Sequence, residues 1–209
     1  SSAVFFADQV INLSKECEPS GSSEASQQYA DDLYTLAECY FKSGEYLKVS
    51  RLLQFHESGL QHRDNRLKWI FAQCLLECKE FDQCLMYLDD HVALDDIAGV
   101  DKGMAGAFAF LRGKLYELLE NNENALAWYH KAVEFDPYLH EALDRIIGRC
   151  LLSRDKEIEL LHALEFHPDD EWLRSMYLLR VGHQNISEDA VTSMQQDPLQ
   201  ISFVVGQNS

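Results

Sequence analysis

Helix breakers are scarce in this chain: of 209 residues, only 4 are Pro and 10 are Gly. That scarcity excludes collagen-like and Pro/Gly-rich disordered chains. Positive charge is also short, with 18 Lys and Arg against 35 Asp and Glu, for a formal charge of −17. Nucleic acids and anionic lipid surfaces both attract proteins through a basic footprint, so neither is expected as a partner. No apolar run approaches the roughly 20 residues that span a bilayer, and the chain reads as soluble, with no membrane partner. Its 46% hydrophobic residues are enough to bury a core, as one domain or one array of small units. The chain begins without Met and ends in a polar stretch, which reads as a fragment of something longer.

Patterns that carry chemistry are missing too. There is no phosphate-cradling glycine loop, no nucleophile elbow and no HExxH among the 8 His. Cys74, Cys78 and Cys84 lie along two helical patterns rather than across the short turn of a zinc knuckle, and they read as small core residues. The Cys residues sit mostly inside apolar helical patterns and no secretory segment precedes them, so the compartment reads as reducing. The acceptor pattern Asn185-Ile186-Ser187 therefore has no secretory context. The acidic run LDDHVALDDIAGVD lacks the ligand spacing of a calcium loop and reads as a solvated loop. The expectation is a chain without catalysis, metal, cofactor or small-molecule substrate.

A repeat is what the chain has instead. In a frame of ~34 residues opening at Gly106 and closing on Pro137, Gly113 falls at position 8, Tyr116 at 11, Ala125 at 20, Tyr129 at 24 and Ala132 at 27. These are the small and aromatic positions of a tetratricopeptide (TPR) repeat. Gly113 and Ala125 let two helices approach where they cross, Tyr116 and Tyr129 fill the space beside them, and Pro137 ends the second helix. The same frame puts Ala37 and Ala72 at position 8 of two earlier units, with Gly44 in the first unit's turn. The steps are 35 residues from Ala37 to Ala72 and 41 from Ala72 to Gly113, so an insertion lies at 92–105. The expected fold is all-α: TPR helix pairs in a right-handed superhelix over residues 1–181, with a degenerate fourth unit and an extra helix after Pro137. A helix over the first 17 residues, a linker at 18–28 and a loosely ordered tail at 182–209 complete the reading.

Stacked pairs make a concave surface lined by the first helix of each unit. Its positions include Tyr34, Glu38 and Phe41 in the first unit, Arg66, Trp69, Gln73 and Leu76 in the second, and Ala107, Phe110, Lys114 and Leu118 in the third. Tyr34, Trp69 and Phe110 repeat an aromatic at one place, which predicts a groove occupied by something apolar. The Lys, Asn and Arg set with which co-chaperone TPR domains hold a terminal carboxylate is replaced by Tyr34, Glu38, Ile70, Ala107 and Leu111. The chain carries its own candidate occupant in the N-terminal helix. There Phe6 lies on the apolar face and Phe5 among Asp8, Gln9 and Asn12 on the other.

The order of SAVFFADQVINLS, a linker, LYTLAECYFKSGEY, WIFAQCLLECKEFDQCLMYL, an acidic insert and LRGKLYELLENNENALAWYHKAVEFDPYLHEAL closely resembles the N-terminal region of the subunit six family of the anaphase-promoting complex. The resemblance runs from about Ser2 to Leu143 and weakens through Arg180, with LRGK-Y and the apolar N-terminal helix its most specific parts. The acidic insert is shorter than the family pattern, and the C-terminal half of the superhelix is missing. The resemblance implies a non-catalytic scaffold in a multi-subunit ubiquitin ligase that drives exit from mitosis, present in nucleus and cytoplasm. Its N-terminal TPR units would form a symmetric homodimer, with other subunits of the complex as further partners. A sister TPR subunit of the same complex, or a generic TPR adaptor for an apolar helix or peptide, are the competing readings.

Overall fold

The computed structural model describes residue 9 and residues 23–55, 64–148 and 152–182. Every regular element among them is helical. In chain order these are α1 (Ser23–Lys42), α2 (Tyr46–Phe55), α3 (Asn65–Glu77), α4 (Phe81–His91), α5 (Leu94–Ala98), α6 (Lys102–Leu118), α7 (Asn122–Phe135), α8 (His140–Gly148) and α9 (Arg154–Ala163), with a 3₁₀ turn at Pro168–Asp170. Residues 171–182 form α10. Consecutive helices pack as pairs, α1 on α2, α3 on α4 and α6 on α7, and α3 also packs on α1, the stacking of a right-handed TPR array.

The pairs arise from local chemistry that repeats with the frame. Three first helices end in the same way. Gly44, Lys79 and Glu120, all at position 15 of their units, adopt positive φ of 75°, 63° and 60°. The N–H of the following residue donates back to the carbonyl at position 11: Glu45 to Tyr40 at 3.0 Å, Glu80 to Leu75 at 2.9 Å and Asn121 to Tyr116 at 2.9 Å. This left-handed closure meets carbonyls that the helix end would leave bare, and it turns the chain into an antiparallel second helix. Helix starts are held by side chains: Asp64 accepts from Arg66 N–H at 2.8 Å, Asp101 from Met104 N–H at 3.0 Å and Asn121 from Asn124 N–H at 3.2 Å. α7 stops at Phe135, ahead of Pro137.

The small frame positions go to the core. Ala37, Ala72, Ala125 and Ala132 are buried among Leu33, Leu36, Leu53, Leu75 and Leu88. Two expectations need correction. The linker expected at 18–28 is helical from Ser23 onward, since its Ser, Glu, Ala and Gln are compatible with a helix. The insert at 92–105 is no solvated loop. It forms α5, whose Leu94 and Ile97 are buried with Val92 and Ala105, while Asp95 and Asp96 face out. The N-terminal helix, with Phe5 and Phe6, and the tail from residue 183 lie outside the described residues.

Candidate partner-binding face

The residues expected to line the concave face start on α1 and α3. The Arg66 guanidinium lies over the Tyr34 ring, 5.2 Å from its centroid, and donates to Asp31 at 2.5 Å and Asp64 at 2.7 Å. Burial would raise the Asp64 pKa, but hydrogen bonds from the Arg66 side chain and backbone outweigh it and hold this carboxyl below its usual value. Trp69 meets Phe108 edge to face at 5.3 Å, and Phe110 leans on Tyr129 at 5.5 Å. Phe41 packs edge to face on Tyr46 at 5.2 Å. Tyr34, Phe41, Trp69 and Phe110 are therefore half-buried aromatics packed against the core. This is a drier face than the frame alone implies, because each ring is partly covered by its neighbours.

Two members of the expected groove separate further. Leu76 retains only 7% exposure and joins the core, so it does not line the face. The cause is its place next to last in α3, where the chain folds back into α4. Leu118, at the end of α6, is 47% exposed and remains available.

Behind this face, Gly113 lies against the second helix of its own unit. A Cβ built on Gly113 would lie 2.5 Å from a ring carbon of Tyr129. That ring takes the space a side chain at Gly113 would need; Ala125 is buried and Tyr116 half-buried. The Tyr129 hydroxyl donates to Glu117 Oε2 at 2.5 Å, and Arg145 donates to Glu117 Oε1 at 2.7 Å. One carboxylate thus ties α6, α7 and α8 together.

Sequence reasoning passed over Arg112, Glu117 and Arg145. Arg112 is 5% exposed, donates to the Leu88 carbonyl at 2.7 Å and stacks on Trp128 at 4.6 Å. It also lies 3.3 Å from Asp89, so it caps the end of α4 from within α6. A lone cation in the apolar stretch FAFLRGKLY was the available signal.

Cys74 and Cys84 are buried, and burial pushes both thiols up to about 12. The Cys84 thiol donates to the Ala72 carbonyl at 3.3 Å, a packing role at the helix crossing. Among the described residues no group of three or more His, Cys, Asp or Glu is placed to hold a metal ion, and no helix is long and apolar enough to cross a membrane.

Comparison with known proteins converges on one complex. Residues 1–91 match the family "Anaphase-promoting complex, cyclosome, subunit 3". Over 194 residues the chain is 36% identical to anaphase-promoting complex subunit 6 of Arabidopsis thaliana, covering 85% of this chain and 33% of that protein. It is 26% identical over 222 residues to the human cell division cycle protein 16 homolog, covering 95% of this chain and 34% of the relative. This chain belongs to the subunit 6 family of the anaphase-promoting complex. The subunit 3 match covers less than half of the chain, and the longer alignments decide between the two. Among solved structures, a crystal structure of the APC/C hetero-tetramer Cut9-Hcn1 matches with a TM-score of 0.65 and 24% identity, over 84% of this chain and 31% of that one; this likeness is one of fold. The chain spans about a third of the length of the subunit 6 relatives it matches.

Proposed function

We propose that this chain is a non-catalytic scaffold segment of the anaphase-promoting complex, a ubiquitin ligase acting in cell division in nucleus and cytoplasm, and that it homodimerises through its concave face. The observation that carries this reading is 36% identity, over 85% of the chain, to a protein named as a subunit of that complex. The face supports the second half. Half-buried Tyr34, Trp69 and Phe110 and exposed Leu118 offer apolar surface, and the positions of the carboxylate-holding set carry Tyr34, Glu38, Ile70, Ala107 and Leu111 instead of Lys, Asn and Arg. Phe5 and Phe6 on the N-terminal segment are the proposed occupants. In a two-fold arrangement each segment enters the partner's groove and every contact is made twice. The matched structure is described as a hetero-tetramer of Cut9 and Hcn1, a composition that allows two copies of Cut9.

Light scattering of the purified chain at micromolar concentration tests the dimer. A mass of twice 24.0 kDa is expected, and a mass of 24.0 kDa removes the dimer. The scaffold role is tested by affinity capture from dividing cells. The tagged chain should bring down ubiquitin-ligase activity while having none alone; captured material without ligase activity overturns it.

A further inference from the structure

α10 is covered on one side and bare on the other. Tyr177 and Val181 are buried, Leu173 and Leu178 pack partly on the core, and Arg174 donates to the Leu161 and Leu164 carbonyls. Arg180 is paired with Asp144 on α8. These contacts seat one face of α10 against α8 and the end of α9. The opposite side carries Trp172, Met176 and Leu179, which are 61%, 45% and 65% exposed. Their spacing of four and three residues sets them in one stripe over two turns, about 10 Å long. Among the described residues, no other helix exposes more than two large apolar side chains.

Shape and charge say what fits this stripe. A straight two-turn apolar ridge is the kind of surface on which an amphipathic helix packs its own apolar face. Its large side chains, one of them an adaptable Met, suit a helix laid alongside rather than the close crossing made at Ala37, Ala72 and Gly113. The N-terminal end of the stripe is acidic: Asp169 and Glu171 are exposed, with Asp170 half-buried between them. At the other end Arg180 is already held by Asp144. The chain as a whole carries −17, a field that draws in a basic partner. The chain's own tail lacks that character, since residues 183–209 contain three acids and no Lys or Arg. A second copy would bring the same acidic end. One stripe of three side chains also falls short of the roughly 1,200 Å² that stable specific interfaces bury.

We propose that the outer face of α10 docks a basic amphipathic helix of another polypeptide. The partner's apolar residues lie along Trp172, Met176 and Leu179, and its Lys and Arg face Asp169 and Glu171. The site is separate from the concave face and does not depend on the dimer reading.

The probe is a synthetic helical peptide of about 14 residues, with Leu along one face, Lys on the rest and no Trp. Added to the full chain, it should bind saturably at micromolar concentration and shift Trp fluorescence to the blue as Trp172 leaves water. Trp172→Phe should keep the binding, read from a label on the peptide, and lose most of the shift. Met176→Glu and Leu179→Glu, each checked for native helix content, should weaken binding about tenfold. Asp169→Lys should weaken it about two- to threefold, and added salt should reproduce that loss in the unsubstituted chain. A peptide of the same composition with its Leu scattered round the helix, and one with Glu for Lys, should each bind about tenfold more weakly. Absence of saturable binding overturns the site. Equal binding of the scattered peptide, or binding untouched by Met176→Glu, reduces it to general attraction to an acidic protein and overturns it too. Equal binding of the Glu-bearing peptide rejects the basic partner. If Met176→Glu halves the mass of the chain in light scattering, a second copy covers the stripe and the proposal fails.

Discussion

The Tyr129 ring fills the place where any side chain at Gly113 would begin: a Cβ there would lie 2.5 Å from one ring carbon and 2.6 Å from the next. The ring has nowhere to go, because Tyr129 is fully buried and its hydroxyl is held by Glu117. Overpacking of this kind costs about 1–3 kcal/mol, and the better helix propensity of Ala returns about 1. Gly113→Ala should therefore lose stability, by up to about 2 kcal/mol. At Gly106 a Cβ would meet Asp136 Cβ at 3.0 Å, and at Gly148 nothing within 4 Å. Urea denaturation should rank the alanine variants of Gly113, Gly106 and Gly148 from most to least destabilised, with Gly148→Ala neutral or stabilising.

Lys79 and Glu120 hold the left-handed turn position that Gly44 occupies in the first unit. An L-residue pays roughly 1–2 kcal/mol in that conformation, and glycine does not. Lys79→Gly and Glu120→Gly should each raise stability by about 0.5–1 kcal/mol, the remainder going to the freer unfolded chain. A lowered melting temperature for both would contradict the turn geometry.

Arg112 is a cation buried for its hydrogen bonds to the end of α4 and its stacking on Trp128. Burial lowers its pKa from the usual arginine value, a sign of the desolvation it has accepted. Arg112→Ala removes the second hydrogen bond to the Leu88 carbonyl, which still accepts from Val92 N–H, and uncovers the Trp128 face, and should cost about 1–3 kcal/mol. Arg112→Lys should recover only part of this, since an ammonium cannot stack as a planar guanidinium does. The ratio of the two losses is read from chemical denaturation.

Trp69 and Leu76 occupy the same helix but should respond differently to charge. Trp69→Glu alters a half-open ring and should give a folded monomer. Leu76→Glu places a carboxylate in the core and should unfold the protein. Circular dichroism with light scattering on both variants checks the division; equal, fold-preserving dissociation would return Leu76 to the groove.

The repeat was legible because close helix crossings demand small residues at fixed intervals, and Ala37, Ala72 and Gly113 mark them without reference to three-dimensional structure. The aromatic series Tyr34, Trp69 and Phe110 was legible for the same reason. α5 was not: its five residues, Leu94–Ala98, are too few for a 3.6-residue period to stand out from an acidic loop. The turns at Lys79 and Glu120 were hidden because the residues there are not the glycine that such a conformation favours.

By itself the sequence determined the paired helices of the three units, since those depend on local periodicity and on residue size at the crossings. Only the tertiary structure decided how much of each first helix is covered. Leu76 is drawn inside, Trp69 leans on Phe108, and Arg112 reaches from α6 to the end of α4. Such coverage depends on the position of the next unit in space, and contacts between residues far apart along the chain leave no period for a reader of sequence to count.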